Sequence, residues 1–258
     1  MSKLTFLGVW MTPDVGETVS FVVDLEKEGQ ILIDCGTNLV GSLMRNEIDP
    51  SNITHLIITH SHGDHISGLP TYLFYRLLIA PGIFGKKAQQ LQIIGTKSTL
   101  QNVKEYVRAS YGSIVDNNLL HFVEVSATDN YSIGTVKFGF FATKHQPETI
   151  GFYANINRHK VVYSSDTGIS EEIISCAKNA DILIHDVVGT SQYSMLSGSH
   201  TLCSEISPLL NKYHIKSFYP VHRLPIYKNN IEDYIRELKN DYHGNIVIPN
   251  DGDVILLS

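Results

Sequence analysis

The residues best equipped for chemistry crowd into Thr59-His60-Ser61-His62-Gly63-Asp64-His65, directly after the apolar run Leu56-Ile57-Ile58. A short β-branched run that empties into three imidazoles and a carboxylate reads as a buried strand ending in a metal-binding loop. Strand side chains repeat every two residues, so His60 and His62 point the same way, while Asp64 and His65 turn toward a second position. The spacing suits two ions rather than one. A surface histidine cluster without function is the alternative, and this density right after a core-type strand weighs against it.

A two-ion site needs further donors at the ends of other strands. His145 follows the strand-like residues 134–142 with Thr143-Lys144 between, Asp166 follows Val161-Val162-Tyr163-Ser164-Ser165, and His222 follows Phe218-Tyr219-Pro220-Val221. Each taken alone reads equally well as a polar strand cap. Joined to the loop they complete seven donors: His60, His62 and His145 for one ion, Asp64, His65 and His222 for the other, with Asp166 bridging. Two divalent ions about 3.5–4 Å apart can hold and ionise a water near neutral pH, so the expected chemistry is hydrolysis. Histidine and carboxylate donors serve zinc and manganese alike, and zinc is the first expectation. Asp34, closing Ile31-Leu32-Ile33, reads either as a carboxylate that orients a ligating histidine or as a simple turn former.

These donors must be carried by a framework, and 258 residues with 43% hydrophobic and 18% charged side chains suffice for one large α/β domain over residues 1–258. Residues 3–8, 19–24 and 30–34 read as an antiparallel meander, and residues 39–48 as a helix stopped by Asp49-Pro50-Ser51. Residues 66–79 are apolar on most faces, which predicts a helix packed on both sides or against a partner subunit, with Tyr72, Phe74 and Tyr75 as packing aromatics. A strand over 91–94, a helix over 96–108 opened by Thr96 and a polar loop over 111–118 follow. The second half is strand-rich at 121–125, 134–142, 149–156 and 160–163. Helices at 170–178, 201–213 and 230–239 then alternate with strands at 181–184, 215–219, 245–248 and 254–257. Strands in two batches with helices between them imply two sheets packed face to face.

The formal net charge of −6 argues against a broad grip on long nucleic acid, which depends on neutralising many phosphates. Cys35, Cys176 and Cys203 form no Cys-x-x-Cys pair and suit reduced thiols. Met1 to Phe6 runs straight into strand-like sequence without an export signal, and the apolar residues 69–84 are broken by Arg76, Pro81 and Gly82. A cytoplasmic protein with no membrane partner is the expectation.

The loop, His145, Ser165-Asp166-Thr167 and His222 together resemble the metallo-β-lactamase superfamily over almost the whole chain. That resemblance implies an αββα sandwich, two mixed sheets with helices outside, and ions at its upper edge. The phosphodiesterase branch typified by tRNase Z adds His-Glu-Ala-Thr and His-Ser-Thr after the bridging aspartate. The matching places here read His185-Asp186-Val187-Val188 and His200-Thr201-Leu202. His200 lies 34 residues after Asp166 and 22 before His222, a spacing that resembles the family's proton donor. A departing ribose alkoxide needs such a proton, and Asp186 would orient the imidazole. His200, Asp186 and Asp64 are the candidate catalytic residues.

tRNase Z enzymes carry a long arm between the third histidine and the bridging aspartate, used to clamp tRNA. His145 and Asp166 are only 21 residues apart, with what reads as a tight hairpin turning at residues 157–160. No arm fits. The armless shape is similar to the anti-Pycsar phosphodiesterases of phages and some bacteria, which hydrolyse cyclic nucleotides such as cyclic CMP and cyclic UMP. That resemblance implies a homodimer whose loops cover the neighbouring active site, with residues 69–84 and 111–118 as the candidates.

The first reading is therefore a dinuclear phosphodiesterase that opens 3′,5′-cyclic CMP and UMP, with cyclic AMP and GMP as further candidates, to nucleoside 5′-monophosphates. In a phage-encoded chain it would act in the host cytoplasm against cyclic-nucleotide antiphage signalling. A second is a tRNase Z-like 3′-processing endoribonuclease using the modest basic patch of Lys86, Lys87, Lys97, Lys104 and Arg108, which also reads as a solvated helix face. A third, a protein that sequesters a nucleotide without turnover, leaves the activated water and proton donor without purpose.

Overall fold

The computed structural model describes residues 1–87 and 89–257. β1 (Lys3–Gly8), β2 (Ser20–Asp24) and β3 (Gln30–Ile33) form the expected antiparallel meander. β4 (Ile53–Ile57), β5 (Leu91–Gly95) and β6 (Leu120–Glu124) extend it in parallel. Parallel neighbours require crossovers. These are α1 (Leu39–Arg45), then a helical arm of α2 (Gly63–Ile66), α3 (Leu69–Phe74), a π-helical turn (Tyr75–Ile79) and α4 (Ala80–Phe84), and lastly α5 (Lys97–Tyr111). The Thr96 hydroxyl accepts from the Thr99 amide at 3.3 Å to open α5, and Gly112 at φ +60° closes it.

The second sheet starts as the meander β7 (Asn130–Ile133), β8 (Val136–Ala142), β9 (Ile150–Ile156) and β10 (His159–Tyr163). It continues in parallel through β11 (Ile182–Asp186), β12 (Ser217–Val221) and β13 (Asn245–Ile246), with α6 (Glu171–Cys176), α7 (Cys203–Lys212) and α8 (Glu232–Leu238) as crossovers. β14 (Val254–Leu256) returns to pair with β1, so that among the described residues each sheet has seven strands. The result is an αββα sandwich of two mixed sheets.

Strand alternation sorts the core into three layers. Ile31, Ile33, Val161, Tyr163, Ile182 and Ile184 face the space between the sheets. Their neighbours point outward: Leu32 joins the layer under α1, α3 and α5, and Val162 and Leu183 that under α6, α7 and α8. Because β3 and β4, and likewise β8, β10, β11 and β12, run the same way, their carboxyl ends meet along one edge. There the sheets are stitched by the Ile150 amide donating to the Thr59 carbonyl (3.2 Å) and Ser165 Oγ donating to Thr59 Oγ1 (2.7 Å).

Three elements depart from the sequence reading, the first being residues 111–118, expected as a polar loop, where α5 runs on to Tyr111 and a 3-10 helix occupies Gly112–Asp116. The single helix expected over 66–79 is interrupted by the π turn, and inside it Arg76 is buried. Its Nη1 donates to the carbonyls of Pro50 and Ser51 at 2.9 Å each, and Nη2 to those of Gln89 and Gln90 at 3.2 Å each. The arm packs on one side only, leaving Leu78, Ile83 and Phe84 exposed, while Phe74 stacks on Tyr111 at 4.9 Å. The strand expected over 134–142 starts instead at Val136, because Gly134 turns at φ +58° and the polar Asn130-Tyr131-Ser132 supplies the unforeseen β7.

Candidate metal centre

Three strands deliver the site through left-handed residues: Asp34 after β3 (φ +56°), Ser165 after β10 (φ +55°) and His222 after β12 (φ +62°). Non-glycine residues held there are strained, and such strain gathers at functional sites. Asp34 is the turn former of one sequence reading, and it also contacts the candidate ligand of the other. It turns the chain, and its buried carboxylate accepts from the Thr59 amide (2.8 Å), Thr59 Oγ1 (3.0 Å) and His65 Nδ1 (2.9 Å). The loop is also pinned from outside, with Thr18 Oγ1 donating to the Asp64 carbonyl (2.6 Å) and the Cys35 amide to that of His65 (2.6 Å).

All seven predicted donors converge. One set is His60, His62, His145 and Asp166, and a second is Asp64, His65, Asp166 and His222, with the donor atoms of each set within 4.8 Å of one another. Asp166 belongs to both. Its Oδ1 lies 3.2 Å from His65 Nε2, and its Oδ2 lies 3.5 Å from His222 Nε2, 3.7 Å from His60 Nε2 and 3.8 Å from His145 Nε2. His62 Nδ1 is 3.2 Å from His145 Nε2, and Asp64 Oδ2 is 3.0 Å from His222 Nε2 and 3.5 Å from His65 Nε2.

The electrostatics call for cations. Burial alone would raise the carboxyls of Asp64 and Asp166, yet His65 and His222 hold both well below the usual range. Conversely, burial opposes charge on His222, but Asp166, Asp186 and Asp64 push its pKa up to about 10, and Asp166, Asp34 and Asp64 likewise drive His65 upward. His60 is held down, first by burial and then by His65. The carboxylates thus demand positive charge, which only protons on crowded imidazoles could otherwise provide. The Nε2 atoms of His60 and His65 are buried without a hydrogen-bond partner. Orphaned lone pairs beside shared carboxylates fit two divalent ions.

His200 and Asp186 also meet here. His200 Nδ1 is 2.9 Å from Asp186 Oδ2, and its ring lies 5.0 Å from that of His145 and stacks on that of His222 at 5.1 Å. Sequence reasoning missed three supports. The Ser199 carbonyl accepts from His145 Nδ1 at 2.8 Å, the Thr167 amide donates to Asp186 Oδ2 at 2.9 Å, and Thr59 links both sheets. The first two act through backbone atoms, which residue type does not reveal. Thr59 lies inside the motif but lacks the chemistry that draws attention to its neighbours.

The sandwich and its His/Asp edge are those of the metallo-β-lactamase fold, and the family match and relatives that follow make the chain a metal-dependent phosphoesterase of its tRNase Z-like branch. The metallo-β-lactamase fold protein YhfI from Bacillus subtilis superposes with a TM-score of 0.82 at 18% identity, over 99% of this chain and 100% of that one. A diphosphatase from the PhnP family gives 0.75 at 19% identity, over 98% and 96%. Ribonuclease Z from Thermococcus sibiricus is 22% identical over 307 aligned positions, covering 100% of this chain and 97% of the relative. More specifically, residues 3–246 match the family described as Anti-Pycsar protein Apyc1, and the chain belongs to that family.

Proposed function

We propose that this protein hydrolyses 3′,5′-cyclic nucleotides to nucleoside 5′-monophosphates, cyclic CMP and UMP first among them, and so opposes cyclic-nucleotide antiphage signalling. His60, His62 and His145 would hold one divalent ion, zinc in the first instance, and Asp64, His65 and His222 the other, with Asp166 shared. Such ions supply positive charge to phosphate oxygens and lower the pKa of bound water to about 7. Water that has given up one proton to solvent would add to phosphorus as hydroxide, the P–O3′ bond would break, and His200 would give its proton to the departing 3′ oxygen. Asp186 keeps that imidazole aimed. Dimerisation through the arm that ends in the exposed Ile83 and Phe84 belongs to the same reading.

The observation that carries this reading is membership of the Apyc1 family over residues 3–246. The hairpin between β9 and β10 supports it, because the intervening Asn157 and Arg158 leave no room for a tRNA-clamping arm. The named Ribonuclease Z relative favours the endoribonuclease alternative. Against it, two cations of the candidate basic patch are engaged, Lys86 with Asp49 and Arg108 with Asp116, while Lys104 sits over the Phe122 ring at 4.3 Å. Zinc-loaded protein should open cyclic pyrimidine nucleotides in a panel that includes cyclic AMP, cyclic GMP and a precursor tRNA. Cleavage of the tRNA with every cyclic nucleotide left intact would replace this reading with the alternative.

A further inference from the structure

Each candidate metal-binding histidine that presents Nε2 to the ions needs an acceptor for the proton on its other nitrogen, since that partner fixes tautomer and ring orientation. Three have partners of their own: Thr59 Oγ1 for His60 (3.2 Å), Asp34 for His65 (2.9 Å) and the Ser199 carbonyl for His145 (2.8 Å). His222 is the exception. Its Nδ1 is buried without a hydrogen bond, and so is Asp186 Oδ1. These two orphans face one another at 3.4 Å. The other oxygen of the same carboxylate, Oδ2, is taken by His200 Nδ1 and the Thr167 amide, each at 2.9 Å. Asp186 is fully buried, so no bulk water competes at either oxygen.

Resting on the function proposed above, we infer that Asp186 is a positioning residue for the metal centre as well as for the proton donor. Oδ1 holds the Nδ1 proton of His222 and Oδ2 that of His200, which couples retention of the ion bound through His222 to the seating of His200. The stacking of the two rings at 25° follows from their sharing one carboxylate. A carboxylate serving His200 alone would have no reason to aim its second oxygen at a metal-binding residue.

Zinc content and zinc affinity of Asp186→Asn and His200→Ala, compared with wild type, test the inference. Wild type and His200→Ala should each hold two zinc ions, whereas Asp186→Asn should keep one and bind the second about 10–100-fold more weakly, the usual cost of losing such a partner. Two ions bound by Asp186→Asn with wild-type affinity would overturn the inference and leave the proposed function standing. Should Asp186→Asn not fold, imidazole nitrogen NMR of the zinc-loaded wild type decides. Protons on Nδ1 of both His200 and His222 are expected, and a bare Nδ1 on His222 would overturn the coupling. A wild-type chain that takes up no divalent ion would sink the proposed function and this inference with it.

Discussion

At the scale of single residues, His200 separates catalysis from binding. Its imidazole belongs to neither of the two four-donor sets that share Asp166, so His200→Ala should keep zinc and fold while turnover of a cyclic nucleotide falls about 10²–10⁴-fold, the usual worth of one positioned proton donor. Steady-state kinetics with metal analysis of the same sample check this, and unchanged kcat would remove His200 from the mechanism. The cysteines permit a second prediction. Burial pushes the thiols of Cys35 and Cys203 far up, and that of Cys176 less far. A raised thiol pKa means less thiolate at a given pH, so at pH 8 the native protein should alkylate at Cys176 before the other two. Cys35 and Cys203 should react only as the protein unfolds, readable by mass spectrometry along a denaturant series.

At the scale of elements, the loop from β11 to α7 carries both Ser199 and His200, and glycine packing sets its position. A Cβ on Gly168 would lie 2.2 Å from the carbonyl oxygen of Gly198, which itself sits at φ +91°. Backbone cannot yield as a flexible side chain does. Gly168→Ala should therefore displace Ser199 and His200, cutting kcat at least tenfold at a stability cost of about 1–3 kcal/mol, with circular dichroism unchanged. Wild-type kcat would show that the loop tolerates the shift. Nothing in the residue types announced this contact, or the acceptor role of the Ser199 carbonyl. The His-rich loop, His145, Asp166 and His222 were legible because donor chemistry at strand ends is rare and conspicuous. Strands such as β3 and β10 were legible from β-branched runs, whereas β7 was hidden by polar residues and the break in the arm by a run apolar on most faces, in which Arg76 gives no sign of the carbonyls it reaches. That break reflects Arg76 reaching back to carbonyls distant in sequence, a tertiary demand that local periodicity does not encode.

For the molecule as a whole, the donors come from both sheets: His60, His62, Asp64 and His65 follow β4, while His145, Asp166 and His222 follow β8, β10 and β12. An ion held by either set would tie one sheet to the other at the edge where Thr59 already links them. In the unfolded chain the same donors are scattered over residues 60–222, so ions bind the folded state selectively and stabilise it by mass action. Free zinc at about a thousand times the dissociation constant of one site would contribute about 4 kcal/mol. For a chain of this size that corresponds to a rise in Tm of about 8–16 °C. Stripping the ions with a chelator should lower Tm by that order, and returning zinc should restore it. Because the lost contacts join the sheets, hydrogen exchange should quicken first at the carboxyl ends of β4 and β10, ahead of the opposite edge where β14 pairs with β1. Uniform loosening, or a Tm indifferent to the chelator, would mean that the ions, if bound, do not tie the sheets together.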